Sequence, residues 1–202
     1  MAYAWQKQKY QSTHEKLLEV AARTLREDGM EKASVAKVMA GAGLTVGAFY
    51  AHFKSKKDLL KKSFAWAVNF SERRIDSIPQ EHPGDKLAAF LDRSLSAAHR
   101  DAPGDGCPLA ALALDFTRED EHLRKFFSHT LDEVIAHRLK AFSQRERPLS
   151  EEDVMDFLSS LVGALILARA TRGTSLSDRL MRVMKTRLKD RFVYRKKQRI
   201  AS

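Results

Sequence analysis

Two short stretches of helical character meet at Ala42-Gly43-Leu44, and this junction most constrains the fold. The string from Ser34 to Phe53 reads S-V-A-K-V-M-A-G-A-G-L-T-V-G-A-F-Y-A-H-F. Ser34 and Thr45 each stand where a helix N-cap would place a hydroxyl residue. Gly43 suits the left-handed backbone that a tight turn between helices requires. The second helix, about 45–52, is too short to hold its shape alone. It has to be pinned by apolar residues, and Val38, Leu44, Phe49 and Phe53 are spaced to do so.

The same helical period continues on both sides. Leu17, Leu18, Ala21, Ala22 and Leu25 mark one face of a helix, about 12–28, which Ser12 or Thr13 can cap and Gly29 can end. Ser55 caps a further helix, with Asp58 placed as its capping-box partner. That helix runs to about 75, until Pro79, Pro83 and Gly84 break the chain. Helices are then expected at about 85–99, 109–118, 120–142, 151–171 and 176–193. No strand-like alternation persists. The fold class is therefore all-α: an N-terminal three-helix helix-turn-helix domain over 1–54, then a larger helical domain over 55–202, about nine helices in all.

Charge divides the chain into three parts. Residues 1–62 hold 12 Lys/Arg against 6 Asp/Glu, residues 63–178 hold 14 against 19, and residues 179–202 hold 10 against 1. The basic head and the net charge of +10 point to a polyanionic partner. The basic end, Val193–Ile200, reads mainly as a solvated tail. The start, MAYAWQKQKYQ, lacks the apolar run of a signal peptide, and no stretch is long enough to span a bilayer, so no membrane partner and a cytoplasmic location are expected. A single cysteine, Cys107, forms no internal disulfide.

In these residues the segment 12–62 closely resembles the helix-turn-helix of the tetracycline-repressor (TetR) family. That family typically reads T-x-x-x-I-A-x-x-A-G-V-S-x-G-x-L/F-Y-x-H-F-x-S-K-x-x-L-L. Ser34, Val38, Ala42, Gly43, Leu44, Thr45, Gly47, Phe49, Tyr50, His52, Phe53, Ser55, Lys56, Leu59 and Leu60 fall in register with it. Met39 departs where alanine is usual, and His14 replaces a common arginine. The resemblance implies that Thr45, Tyr50, His52 and Lys56 contact phosphates of double-stranded DNA, with Ser34 doing so at its helix N-terminus. Lys37 and the face Val46, Gly47 and Ala48 would meet base edges. Val46 and Ala48 offer only apolar contact, so Lys37 is expected to carry more of the reading.

The remainder resembles the family loosely, through the strings at 106–113 and 161–170. The family dimerises through its last two helices and binds a small-molecule effector in the middle of the chain. Leu161–Ala168 is apolar all round, and Gly163, Ala164 and Ala168 admit a close neighbour. A homodimer interface of Leu161, Gly163, Ala164, Leu165, Ala168, Leu180, Met184 and Leu188 follows, although these helices also suit the chain's own core. Candidates for lining an effector pocket are Phe64, Trp66, Phe70, Phe90, Cys107, Leu114, Phe116 and Phe127, although any one of them taken singly is better read as plain core packing.

The resemblance implies a dimeric, ligand-responsive regulator, most readily a repressor. A thiol sensor at Cys107, or an architectural DNA-binding protein without inducer, are alternatives. His122, His129, Glu133 and His137 share one face of a helix, opposite its apolar side, so they read as solvent-facing rather than as a metal site. No cofactor is implied. No nucleophile elbow, phosphate loop or carboxylate pair points to an enzyme.

Overall fold

The computed structural model describes residues 2–78, 85–145 and 148–194, and within the first of these stretches the side chains from Ser12 onward. The expected break at Pro79, Pro83 and Gly84 and the basic residues beyond Tyr194 lie outside the described residues. The described chain is all-helical. Its α-helices are α1 (Ala2–Lys32), α2 (Val35–Gly41), α3 (Phe49–His52), α4 (Lys56–Asp76), α5 (Lys86–Ser94), α6 (Ala97–Asp101), α7 (Pro108–Phe116), α8 (Glu121–Ala141), α9 (Glu151–Ala170) and α10 (Ser175–Phe192). Tight 3-10 turns occupy Val46–Ala48 and Pro103–Asp105.

Two elements differ from expectation. Helix α1 begins well before Ser12, because Ala, Gln and Lys through its first turns are good helix formers and need no cap at Ser12 to start. It is interrupted at Gly29, whose φ is 81°. The stretch expected as one helix over 85–99 is two. Leu95 leaves the helical region, with φ −104° and ψ 50°. The Ser96 hydroxyl then donates to the Arg93 carbonyl at 2.8 Å and accepts the His99 amide at 3.2 Å. A serine that bonds the backbone on both sides ends one helix and starts the next.

Three other helix starts follow their capping residues. Asp85 accepts the Leu87 amide at 2.7 Å, and Thr174 caps α10. Ser150 and Asp153 form a complete capping box at α9, each side chain accepting the other's backbone amide.

The chain packs as two compact units, one of residues 1–71 and 103–130, the other of 72–102 and 131–202. In the first, α1, α2 and α3 share a core of Leu17, Ala21, Val38, Met39, Ala42, Phe49 and Phe53 with Leu59 of α4. Farther along α4, the Phe64 ring lies 4.8 Å from Phe116 and 5.6 Å from Phe127. In the second unit the rings of Phe90, Phe142, Phe157 and Phe192 form a connected cluster. Arg100 is buried there, donating to Ser177 Oγ at 2.9 Å and to Asp178 at 2.6 Å, so α6 is tied to α10 through a satisfied charge.

Candidate nucleic-acid interface

The turn between α2 and α3 is built from backbone bonds that only its sequence permits. Gly43 adopts φ 73° and its amide donates to the Ala40 carbonyl at 3.0 Å, while Leu44 donates to Met39 at 2.9 Å. A Cβ at Gly43 would meet nothing within 4 Å. Backbone handedness, not crowding, is what asks for glycine there. Ser34 caps α2 by accepting the Lys37 amide at 3.1 Å, a bond whose loss costs about 1 kcal/mol. Thr45 occupies the N-cap position of the following turn, but its hydroxyl makes no capping bond.

Helix α3 is a single α-turn preceded by the 3-10 turn, and Phe49 and Phe53 anchor it, their rings 5.6 Å apart. This leaves an outward face. Ser34, Lys37, Thr45, Val46, Gly47, Tyr50 and Lys56 are exposed, whereas Ala48 and His52 are partly buried. Tyr50 is 77% exposed, and its ring meets Phe49 edge-on at 5.2 Å. A large aromatic held that far into solvent by a neighbouring ring is placed to reach a partner.

Behind this face, Ser55 and Asp58 start α4. Ser55 Oγ accepts the Asp58 amide at 3.1 Å, and Asp58 reaches back to the Lys54 amide at 3.0 Å rather than to Ser55 itself. Burial alone would raise the Asp58 pKa; the Lys54 amide and the Lys62 ammonium more than offset it and hold the carboxylate ionised. Lys56 Nζ donates to the Glu31 carbonyl at 3.4 Å. Lys37 Nζ pairs with Asp28 at 2.5 Å.

Two features escaped sequence reasoning. The first is the Lys37–Asp28 pair. The second is a stack of His14 on His52, with ring centroids 5.7 Å apart. Burial lowers the pKa of both rings; for His14, the nearby His52 and Lys62 lower it further. Neither pairing follows from spacing along the chain, since each joins different helices.

The remaining candidates divide. Phe64, Phe116 and Phe127 meet in the first unit, and Trp66 stacks on Phe70 at 5.2 Å with planes 6° apart. Leu114 points outward, 57% exposed. Phe90 belongs to the second unit's ring cluster. Cys107 stands at the N-cap position of α7, partly buried. Close to it is the buried Arg26 guanidinium. Burial lowers the Arg26 pKa, and Asp105 and Cys107 counter this. Arg26 Nε has no hydrogen-bond partner among the described residues. The first unit also holds a cleft of about 410 Å³, lined by Met30, Glu31, Lys56, Lys57, Leu60, Asp115, Arg118 and Glu119. Six of these eight residues are charged, and Met30 and Leu60 are the two apolar ones.

On the last two helices, Leu161, Ala164, Leu165, Ala168 and Leu188 lie in the second unit's own core. Gly163, Leu180 and Met184 are partly exposed. Beside them, Met155 and Leu167 of α9 and Leu176 and Val183 of α10 are exposed; Leu176, Leu180, Val183 and Met184 share one face of α10, and Leu167 lies one turn from Gly163 on α9. His122 lies 3.1 Å from Lys61 Nζ, and His137 faces Glu72 and Asp76. No cluster of three metal-ligating side chains occurs among the described residues. No described helix is long and apolar enough to cross a membrane.

Comparison with known proteins places this geometry. The family model described as bacterial regulatory proteins, tetR family, matches residues 17–62. Over 90 residues the chain is 36% identical to the HTH-type transcriptional regulator AcrR of Shigella flexneri, covering 43% of this chain and 40% of that one. Over 111 residues it is 34% identical to the uncharacterized HTH-type transcriptional regulator YvdT of Bacillus subtilis, covering 52% and 56%. The chain thus spans about half or less of the length of these curated relatives.

Solved structures match over more of the chain. A TetR transcriptional regulator from Chloroflexus aurantiacus aligns with TM-score 0.70 at 23% identity, over 89% of this chain and 95% of that one. The reduced form of Escherichia coli NemR aligns with TM-score 0.69 at 17% identity, over 87% and 96%. FadR of Bacillus subtilis in complex with stearoyl-CoA aligns with TM-score 0.64 at 17% identity, over 86% and 96%. At such identities these likenesses establish the fold.

Proposed function

We propose that this chain, whose helix-turn-helix belongs to the tetR family of bacterial regulatory proteins, is a ligand-released repressor that binds its operator as a homodimer. The carrying observation is the exposed face formed by α2, the 3-10 turn, α3 and the first residue of α4, which presents Lys37, Thr45, Tyr50 and Lys56 over a core that includes Val38, Met39, Phe49 and Phe53. Thr45, Tyr50, His52, Lys56 and Ser34 are assigned to phosphates, and Lys37 with Val46, Gly47 and Ala48 to base edges. The DNA-binding domain is drawn at 1–54, and effector binding and dimerisation are drawn at 55–202.

Two copies associate through the exposed stripe of α9 and α10, around Gly163, Leu167, Leu180, Val183 and Met184. The two heads then meet successive major grooves of a roughly palindromic site. The effector is assigned to the middle of the chain, where the rings of Phe64, Phe116 and Phe127 gather and Trp66 stacks on Phe70 farther along α4. The FadR neighbour, described with stearoyl-CoA, supports a small-molecule effector. Such a ligand releases DNA by binding the unbound geometry better by a few kcal/mol.

Binding of promoter fragments from around the protein's own gene tests this proposal. Selective, salt-sensitive binding is expected. Binding of equal strength to unrelated DNA would leave an architectural protein as the better reading.

A second reading makes Cys107 the sensor. It is favoured by the buried Arg26 guanidinium nearby, since a fixed positive charge stabilises a thiolate. The NemR neighbour is described as a reduced form. Alkylation of Cys107 by N-ethylmaleimide should then release bound DNA, and Cys107→Ser should be immune; release from both proteins, or from neither, sinks it.

A further inference from the structure

The last turn of α7 reaches back to α1. Asp115 Oδ2 accepts the Met30 amide at 3.3 Å. The same oxygen would lie 3.4 Å from a Cβ placed on Gly29, so the carboxylate sits directly against the point where α1 is interrupted. Gly29 and Met30 form a joint rather than a helical turn, because Gly29 has φ 81° and ψ 168°. The backbone amide at a helix interruption has lost its helical acceptor, and Asp115 supplies another.

The residue immediately before this joint is Asp28. Its carboxylate holds Lys37 Nζ at 2.5 Å, with the lysine side chain 56% exposed and the aspartate 23%. Three links therefore run from α7 to the candidate DNA face: Asp115 to Met30, the Gly29 joint, and Asp28 to Lys37. All lie in the first compact unit.

The chemistry of this pair bears on how Lys37 meets DNA. A lysine on its own is a mobile point charge, and the nearest phosphate satisfies it regardless of sequence. Tied to Asp28, Lys37 loses rotamer freedom before DNA arrives, which lowers the entropy cost of a directed contact. The carboxylate beside it also repels phosphate. It leaves the ammonium oriented for an acceptor such as guanine O6 or N7, and can itself accept from cytosine N4.

We infer that Asp115 is a positioning residue for DNA recognition: by holding the Gly29–Met30 joint it sets the Asp28–Lys37 pair, and so makes base preference at the head depend on α7. This rests on the regulator reading above. It adds a route through the end of α1 to the DNA face.

The experiment uses the full chain with lysines ¹³C-dimethylated, and follows the Lys37 methyl signal by NMR without DNA, the signal being assigned with Lys37→Arg. Asp28→Ala gives the position of the released lysine. Asp115→Ala should move the signal most of the way to that position. Asp115→Asn, which keeps an acceptor for the Met30 amide, should leave it near the wild-type value. In parallel, selection of bound sequences from a random DNA pool should show Asp28→Ala and Asp115→Ala relaxing preference at the same base pair, by about fivefold or more, and the double variant going no further.

A Lys37 signal unmoved in Asp115→Ala overturns the inference, even if that variant melts earlier, and leaves the regulator reading intact. A wild-type protein that selects no sequence overturns the recognition role together with the regulator reading, whatever the NMR signal does.

Discussion

The rings of His14 and His52 stack 5.7 Å apart with planes 19° from parallel, joining the start of the α1 core face to the last turn of α3. His14 also lies against Phe53, 5.2 Å away. His14 stands where the family commonly has an arginine; here the position contributes packing instead of a fixed charge.

This stack makes the head sensitive to acid. Burial lowers the pKa of both rings, and for His14 the neighbouring His52 and Lys62 lower it further while Asp58 and Glu15 act against them. The folded head thus binds fewer protons than the unfolded chain, whose histidines titrate near about 6.5. Stability is complete above that pH and declines as pH falls through it. Partly buried His99, lowered to about 4 mainly by its desolvation, contributes in the same direction in the second unit. The thermal midpoint should therefore fall between pH 7.5 and 5, and fall less in His14→Gln. Equal falls in the two proteins would remove His14 from the account.

Tyr50→Phe and Lys56→Ala should weaken binding to operator and to unrelated DNA alike. Losing one hydroxyl bond costs on the order of 1 kcal/mol, roughly fivefold in affinity. Lys56→Ala should also reduce the slope of log affinity against log salt by about one. Both residues are exposed, so melting temperature should hold. Fluorescence anisotropy over a salt series separates these outcomes, and a loss confined to the operator would move Tyr50 from phosphates to bases.

Replacement by alanine should hurt Gly29 more than Gly43. Both have positive φ, at 81° and 73°, but Gly29 combines it with ψ 168°, a region essentially reserved to glycine, where strain is on the order of 1–3 kcal/mol. At Gly43 the new methyl meets open space, whereas at Gly29 it comes into contact with the Asp115 carboxylate at 3.4 Å. Denaturant midpoints rank the two, and equal losses would show that the backbone at Gly29 relaxes when alanine replaces it.

Val183→Glu or Leu167→Glu should give a folded monomer, because both side chains are about half exposed and the charge is costly only against a second copy. Leu165→Ala, at a fully buried position, should instead lower stability by about 2–5 kcal/mol. Analytical ultracentrifugation with thermal melts tells the two effects apart. A dimer that survives both charged variants places the interface elsewhere.

These contrasts show what the amino-acid order made legible. Ser34, Gly43 and Ser55 act on backbone groups within a few residues, so the helix-turn-helix could be read locally. Leu161–Ala168 reads as apolar on every side, but sequence cannot say which side meets its own chain. Leu161, Ala164, Leu165 and Ala168 turn inward, while Leu167 lies exposed. The aromatic candidates were visible one by one, yet which rings meet depends on helix packing. Phe64 finds Phe116 and Phe127, and Phe90 finds Phe142 and Phe157. Ser96 was hidden because a serine inside a helical stretch is common, and only its bonds to Arg93 and His99 make it a break.

The 3-10 turn Val46–Ala48 contains no buried residue. Phe49 and Phe53 on the other side are buried and fasten the following helix, with Ala48 partly buried against them. Val46 and Gly47, both exposed, are left out of that packing. In a regulator of the proposed kind, those two positions can change to suit a new target sequence while the scaffold beneath them stays as it is.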